Sequence, residues 1–231
     1  MPIKVAVFNR KGGVGKTTLS IILTQIALMN GKKVLAVDQD EQANFSVSVR
    51  YLQQEINFMN SFTLKTSLSA EDLNTTADWL IVDCPPAFGE RSRFALRNSD
   101  LILIPTRPDY YATMPFNAIR ETAGDGKYPF QFLLAKVGFA GNLTSRLANA
   151  TVESFRNKGY PVVADLPLFA TIPANISSNR KKWWRTGLQA SARRPYEHLY
   201  SQLERYYGKL QDERRRANDR PYQGDDESSE P

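Results

Sequence analysis

The chain has 231 residues, 42% of them hydrophobic, with 30 Lys/Arg against 24 Asp/Glu and a formal net charge of +6. That length supports one domain with a full core and leaves no room for a second large one. The apolar runs are only a few residues long, which argues against a membrane span, and the single cysteine, Cys84, excludes an internal disulfide or a multi-cysteine metal site and fits a reducing cytoplasm.

In chain order, Ile3 to Asn9 predicts a buried strand and begins too early for a signal peptide or a preceding helix-turn-helix. A glycine-rich turn follows, then a helix from Leu19 to Met29. Lys33 to Asp38 predicts a second strand. Between Glu41 and Thr76 the pattern weakens: Ser46 to Gln54 reads as helical, Ser61 to Leu64 as a short strand, and Ser69-Ala70-Glu71-Asp72 as a helix start. Further strands are expected at Trp79 to Asp83, Leu101 to Pro105, Phe130 to Val137 and Val162 to Leu166. Tyr196 to Leu210 reads as a closing helix with Leu199, Leu203, Tyr206 and Leu210 on one face. The lone histidine, His198, falls in it and is read as structural. Strands alternating with helices imply an α/β fold: a doubly wound, mostly parallel twisted sheet flanked by helices. From Gln211 the chain turns to charge and ends in Asp, Glu, Ser and Pro. The expected organisation is one domain over residues 1–210 and a disordered tail over 211–231.

The segment Arg10-Lys11-Gly12-Gly13-Val14-Gly15-Lys16-Thr17-Thr18 joins the first strand to the first helix. Strand, glycine turn and helix is the context a phosphate-binding loop requires, since glycines let successive N–H groups turn inward and the helix N-terminus favours an anion. Lys16 is then placed to reach β- and γ-phosphates, and the Thr17 hydroxyl to ligate Mg²⁺. Arg10 stands where the usual nucleotide loop has glycine, and a second lysine, Lys11, opens the loop. At the lip of the site, Lys11 is placed to reach a phosphate held by a facing subunit. The alternative is a glycine turn with two solvated lysines.

Asp38 and Asp40 end the second strand, at the sheet edge where α/β proteins bind ligands. Asp38 is a candidate for a Mg²⁺-bound water and Asp40 for the attacking water; the plainer reading is solvated loop acids. Leu80-Ile81-Val82-Asp83 is an apolar strand ending in a carboxylate, the form of a Walker B strand whose aspartate meets Mg²⁺ through water.

Lys11 to Thr18 fits, at every position, the loop of the ParA/MinD family of deviant-Walker ATPases, and the chain resembles that family over roughly Pro2 to Tyr207. Asp38-Gln39-Asp40 resembles the family's Asp-x-Asp segment, with Glu41 in place of its proline, and Asp83-Cys84-Pro85-Pro86 takes its Asp-x-Pro-Pro form. The resemblance implies ATP and Mg²⁺ as cofactors, and an ATP-dependent homodimer in which Lys11 crosses to the partner's nucleotide. It also implies hydrolysis to ADP and phosphate, stimulated by a partner. Ile172-Pro173 matches a segment that packs near the adenine. Ala135 falls where many relatives carry a base-reading asparagine.

The basicity is local: from Arg180 to Arg216 there are eleven Lys/Arg against four Asp/Glu. Arg180, Lys181, Lys182, Arg185, Arg193 and Arg194 surround Trp183 and Trp184, a mixture suited to a phosphate backbone or to core tryptophans with solvated cations around them. ParA-type relatives bind double-stranded DNA non-specifically through this part of the chain. The resemblance therefore implies a nucleoid-associated ATPase that positions or segregates a cargo through an adaptor. The cargo is a plasmid, a chromosome origin, or an organelle such as the carboxysome in the McdA-like branch, and the adaptor is centromere-binding or McdB-like. The alternative is a MinD-like membrane-associated ATPase for division-site placement, against which the acidic end of the chain argues. A dethiobiotin-synthetase-like ligase is a metabolic alternative, an iron-protein relative would need two cysteines, and a tyrosine kinase is disfavoured by Lys11.

Overall fold

A computed structural model describes residues 1–54, 58–106, 131–138, 142–157, 162–167 and 190–218. Among these residues, seven strands form one sheet in the order β3-β2-β4-β1-β5-β6-β7. They are β1 (Ile3–Val7), β2 (Val34–Asp38), β3 (Phe62–Lys65), β4 (Trp79–Asp83), β5 (Leu101–Thr106), β6 (Gln131–Gly138) and β7 (Val162–Pro167). Every pairing is parallel. Parallel strands buried on both faces need apolar side chains at successive positions, and β2, β4 and β5 are buried throughout.

Among the described residues, five α-helices accompany the sheet: α1 (Lys16–Met29), α2 (Asn44–Val49), α3 (Glu90–Arg97), α4 (Asn142–Asn157) and α5 (Ala190–Asn218). Alternate strand residues feed two core layers. Val5, Val7, Ile81, Leu101 and Leu103 pack with Leu19, Ile22 and Leu23 of α1 and with Leu199 and Leu203 of α5. Ala6, Phe8, Leu80, Val82, Ile102 and Ile104 pack with Ala95 and Leu96 of α3 and with Phe155 of α4. The sheet is thus covered on both faces, as the alternation predicts, and β1 at its centre carries the glycine loop.

Two boundaries differ from the sequence expectation for identifiable reasons. Helix α1 begins at Lys16 rather than Leu19, because its first turn is polar and the apolar periodicity starts one turn later. Helix α5 continues through Asn218, so the domain boundary expected at residue 210 falls inside it. The extension has a tertiary anchor. Arg214 Nη1 lies 2.9 Å from Asp100 Oδ1, and the 3%-exposed Asp100 also accepts the Lys4 backbone N–H at 3.1 Å. The Tyr207 hydroxyl donates to the Pro2 carbonyl at 3.2 Å, and Tyr200 stacks on Trp79 at 4.9 Å between ring centroids. His198 lies exposed on this helix, and residues 219–231 are outside the described set.

Helix α5 therefore clasps the beginning of β1 and the entry to β5. Arg214→Ala leaves a buried carboxylate with one partner fewer and should lower stability by about 2 kcal/mol in urea unfolding. A loss below about 0.5 kcal/mol, the level of ordinary surface substitutions, would show that the extension past Leu210 contributes nothing.

Candidate functional site

The site forms where β1, β2 and β4 end on one edge of the sheet. Val7 and Asp38 both stand in register with Asp83. The glycine loop leaves β1 and returns as α1 through Gly13 at φ +67° and Gly15 at φ +98°. Both lie in the left-handed region that glycine enters without a Cβ penalty. Asn9 braces the loop from below: its Nδ2 donates to the Pro105 carbonyl at 2.9 Å and its Oδ1 accepts the Lys11 N–H at 2.9 Å. Lys11 and Gly12 are exposed at the lip, while Val14 anchors the loop in the core.

Lys16 is buried at the head of α1, and its Nζ donates to the Lys11 carbonyl at 3.2 Å. Burial pulls its ammonium below the usual lysine value, and the carboxylates of Asp83 and Asp40 oppose that pull.

Asp83 is the most constrained group. The Thr17 hydroxyl donates to its Oδ2 at 2.8 Å and the Ser20 hydroxyl to its Oδ1 at 2.9 Å. Burial pushes its carboxyl up to about 7; the two hydroxyls work against that rise, and the Asp38 carboxylate adds to it. Asp38 is also buried. It accepts the Asp40 N–H on Oδ1 at 3.1 Å and the Ser46 N–H on Oδ2 at 2.7 Å, fastening the loop after β2 to the start of α2. Asp40 in turn accepts the Gln42 N–H at 3.0 Å and remains half-buried. Ala43, at φ 52°, closes this loop in a conformation that side chains other than glycine rarely adopt.

Lys16, Thr17, Asp38, Asp40 and Asp83 are thus gathered at one edge, as their sequence positions predict. Asn9 and Ser20 join them without having been singled out by the sequence pattern. Ser20 follows Thr17 by three residues, so the two share a helix face, and that spacing is the available signal. Asn9 ends an apolar run and offers none. Ala135 lies on β6 in register with Pro105. Ile172, Pro173, Arg180, Lys181, Lys182 and Arg185 are outside the described residues, Arg193 is described only as helical backbone, and Arg194 is exposed on α5.

Hard oxygens from two carboxylates and a hydroxyl suit Mg²⁺, which takes few protein ligands and completes its shell with water and phosphate. Burial foremost, and the neighbouring Asp38 carboxylate to a lesser degree, raise the Asp83 carboxyl, and a dication there would relieve both.

Comparison with known proteins agrees with this geometry. Residues 3–70 match the family model described as an AAA domain. The sporulation initiation inhibitor protein Soj of Bacillus subtilis is 27% identical over 160 residues, covering 51% of this chain and 63% of Soj. The chain therefore matches less than two thirds of the length of this relative. Among solved structures, a putative plasmid partition protein from Borrelia burgdorferi bound to AMPPNP superposes with a TM-score of 0.68 at 20% identity, over 90% of this chain and 100% of that one. The septum site-determining protein MinD from Pyrococcus horikoshii, complexed with Mg-ADP, gives 0.64 at 17% identity, over 91% and 99%. In fold, loop and relatives the chain is thus similar to P-loop ATPases of the ParA/MinD type. The same fold thus holds a nucleotide in both neighbours, and Mg²⁺ with it in the second. No helix among the described residues is long and apolar enough to cross a membrane.

The Asp83 environment predicts a pH dependence. An unfolded aspartate titrates near 4 and the folded one near 7. Its contribution to stability is therefore full below pH ~4 and is lost as pH rises through about 7. The melting temperature of the nucleotide-free chain should fall by roughly 5 °C more in wild type than in Asp83→Asn between pH 5 and pH 8. Identical pH profiles for the two proteins would contradict this assignment of the burial cost.

Proposed function

We propose that the chain is a nucleotide-driven positioning ATPase: ATP and Mg²⁺ bind at the glycine loop, two chains close over the nucleotides, and hydrolysis releases them. The observation that carries this reading is the convergence of Lys16 and Thr17 on α1 with Asp38 and Asp83 on neighbouring strand ends. Backbone N–H groups from Gly12 to Thr18 would hold the phosphates. Lys16, freed from the Lys11 carbonyl, would turn to the β- and γ-oxygens, where its positive charge meets the charge that builds during transfer. Thr17, Asp38 and Asp83 would hold Mg²⁺, which supplies charge neutralisation at the phosphates when bound. Asp40, half-buried beside this group, would orient the attacking water. Lys11 belongs to the opposite subunit's nucleotide in this scheme, since it stands at the lip rather than inside its own loop. Ile172 and Pro173 are proposed to pack near the adenine.

The further role is cargo distribution on DNA. The basic segment Arg180, Lys181, Lys182, Arg185, Arg193 and Arg194 is the proposed contact, and dimerisation doubles its charge. The exposed Arg194 on α5 is the part of it that the described side chains include. A partner protein that carries a plasmid, a chromosome origin or an organelle would stimulate hydrolysis and release the dimer from the nucleoid. Support for this reading comes from the local basicity and from a partition protein among the neighbours of the same fold.

Two measurements test the scheme. Lys16→Ala should weaken ATP binding at least tenfold in calorimetry, whereas Lys11→Ala should bind ATP normally and lose about 10²-fold in turnover. Unchanged turnover in Lys11→Ala would remove the cross-subunit role. In fluorescence anisotropy with ATP, Arg193→Glu combined with Arg194→Glu should weaken binding to two unrelated duplexes alike. The slope of log affinity against log salt should flatten by about 0.9 for each phosphate that a substituted arginine no longer neutralises. Failure of the wild-type chain with ATP to bind either duplex at low salt would reject the DNA role and favour a membrane-associated one.

A further inference from the structure

A cleft of about 440 Å³ opens at the C-terminal end of β3, the edge strand of the sheet. It lies beside the nucleotide edge but uses different side chains. One wall is Ser46 of α2 and Arg50 of the short 3₁₀ helix Arg50–Gln54; the other is Lys65 and the loop through Thr66 and Ser67. Its charge balance is positive where a ligand would sit. Asp72, the one carboxylate among the described lining residues, is already engaged: it pairs with Lys65 and accepts both the N–H and the hydroxyl of Ser69 at 2.9 Å. Arg50 has no carboxylate partner among the described residues and is exposed. Ser46 is 3% exposed, and its hydroxyl finds no hydrogen-bond partner among the described residues. A buried polar group left unpaired is costly and is seldom kept without a use.

We propose that this cleft is a second ligand site, for a small organic phosphate monoester. The planar guanidinium of Arg50 presents paired N–H donors that match two phosphate oxygens. Thr66 and Ser67 supply hydroxyl donors that carry no charge of their own, and the remaining Lys65 protons add to the field. A bare phosphate leaves most of the volume empty. The cleft falls within the range of small-molecule sites, so an organic body of a few carbon atoms fits beside the charged group, with Leu64 offering it an apolar contact. The site also has a route to the nucleotide edge. The residue whose side chain walls the cleft, Ser46, is the one whose N–H fixes Asp38.

The test is a site-resolved titration, because the glycine loop can itself take phosphate. Glycerol 3-phosphate is added to the ¹⁵N-labelled full chain and amide shifts are followed. Saturable shifts at Ser46, Arg50, Thr66 and Ser67 in the millimolar range are expected, separate from any at Gly12 to Thr18. Arg50→Ala should raise the dissociation constant at the cleft at least tenfold, and Arg50→Lys should restore only part of it because the fork is absent. The substituted side chain is exposed, so the fold should persist, which the unchanged remainder of the spectrum checks. Shifts confined to Gly12 to Thr18, no saturation at the cleft, or equal affinity in Arg50→Ala would each overturn the proposal. None of these outcomes depends on whether the chain hydrolyses ATP.

Discussion

The arrangement depends on one buried carboxylate. Asp83 ends β4 in the middle of the sheet, is almost without solvent, and holds the Thr17 and Ser20 hydroxyls of α1 on its two oxygens. A carboxylate in such a position is expensive unless it is fully hydrogen-bonded or meets a cation. Two hydroxyls satisfy it only in part, and burial still raises its carboxyl well above the usual aspartate range. The same two bonds set where the first turn of α1 lies against β4, and so where the glycine loop presents its N–H groups. Stability and the proposed function pull in opposite directions here: the fold carries an ill-solvated acid at the place where the proposed Mg²⁺-bound phosphate would need one.

Asp38 extends that logic one strand outward. It stands in register with Asp83, adds to the electrostatic load on it, and spends its own oxygens on the N–H groups of Asp40 and Ser46. The loop it organises contains the strained Ala43 and leads into the short helix α2. A segment held by two hydrogen bonds to one carboxylate has a defined way to rearrange when that carboxylate acquires a cation.

Much of the fold is legible because parallel strands buried on both faces must be continuously apolar, and each such run here forms a strand. The glycine loop, Asp38 and Asp83 are legible because strand ends on one edge of a parallel sheet converge. What escapes is polar and tertiary. Asn9 and Ser20 are single polar residues whose partners, Pro105 and Asp83, lie far along the chain. The extension of α5 rests on Arg214 meeting Asp100, a contact across 114 positions that no local composition reveals. The charged stretch after Leu210 resembles a solvated tail because its sequence has little apolar surface, yet Arg214 pairs there with a buried carboxylate. The basic segment leading into α5 is legible from charge alone, and most of its residues lie outside the described set.

The central claim is that Asp83, Thr17 and Lys16 form one Mg²⁺-nucleotide site rather than a structural knot. The most direct measurement is calorimetric titration of ATP into wild type and Asp83→Asn, each with Mg²⁺ and with the metal chelated. The account predicts that Mg²⁺ tightens binding at least tenfold in wild type and much less in Asp83→Asn, with metal-free affinity similar in the two. Equal affinity of the wild-type chain for ATP with and without Mg²⁺, or no ATP binding at all, would contradict it.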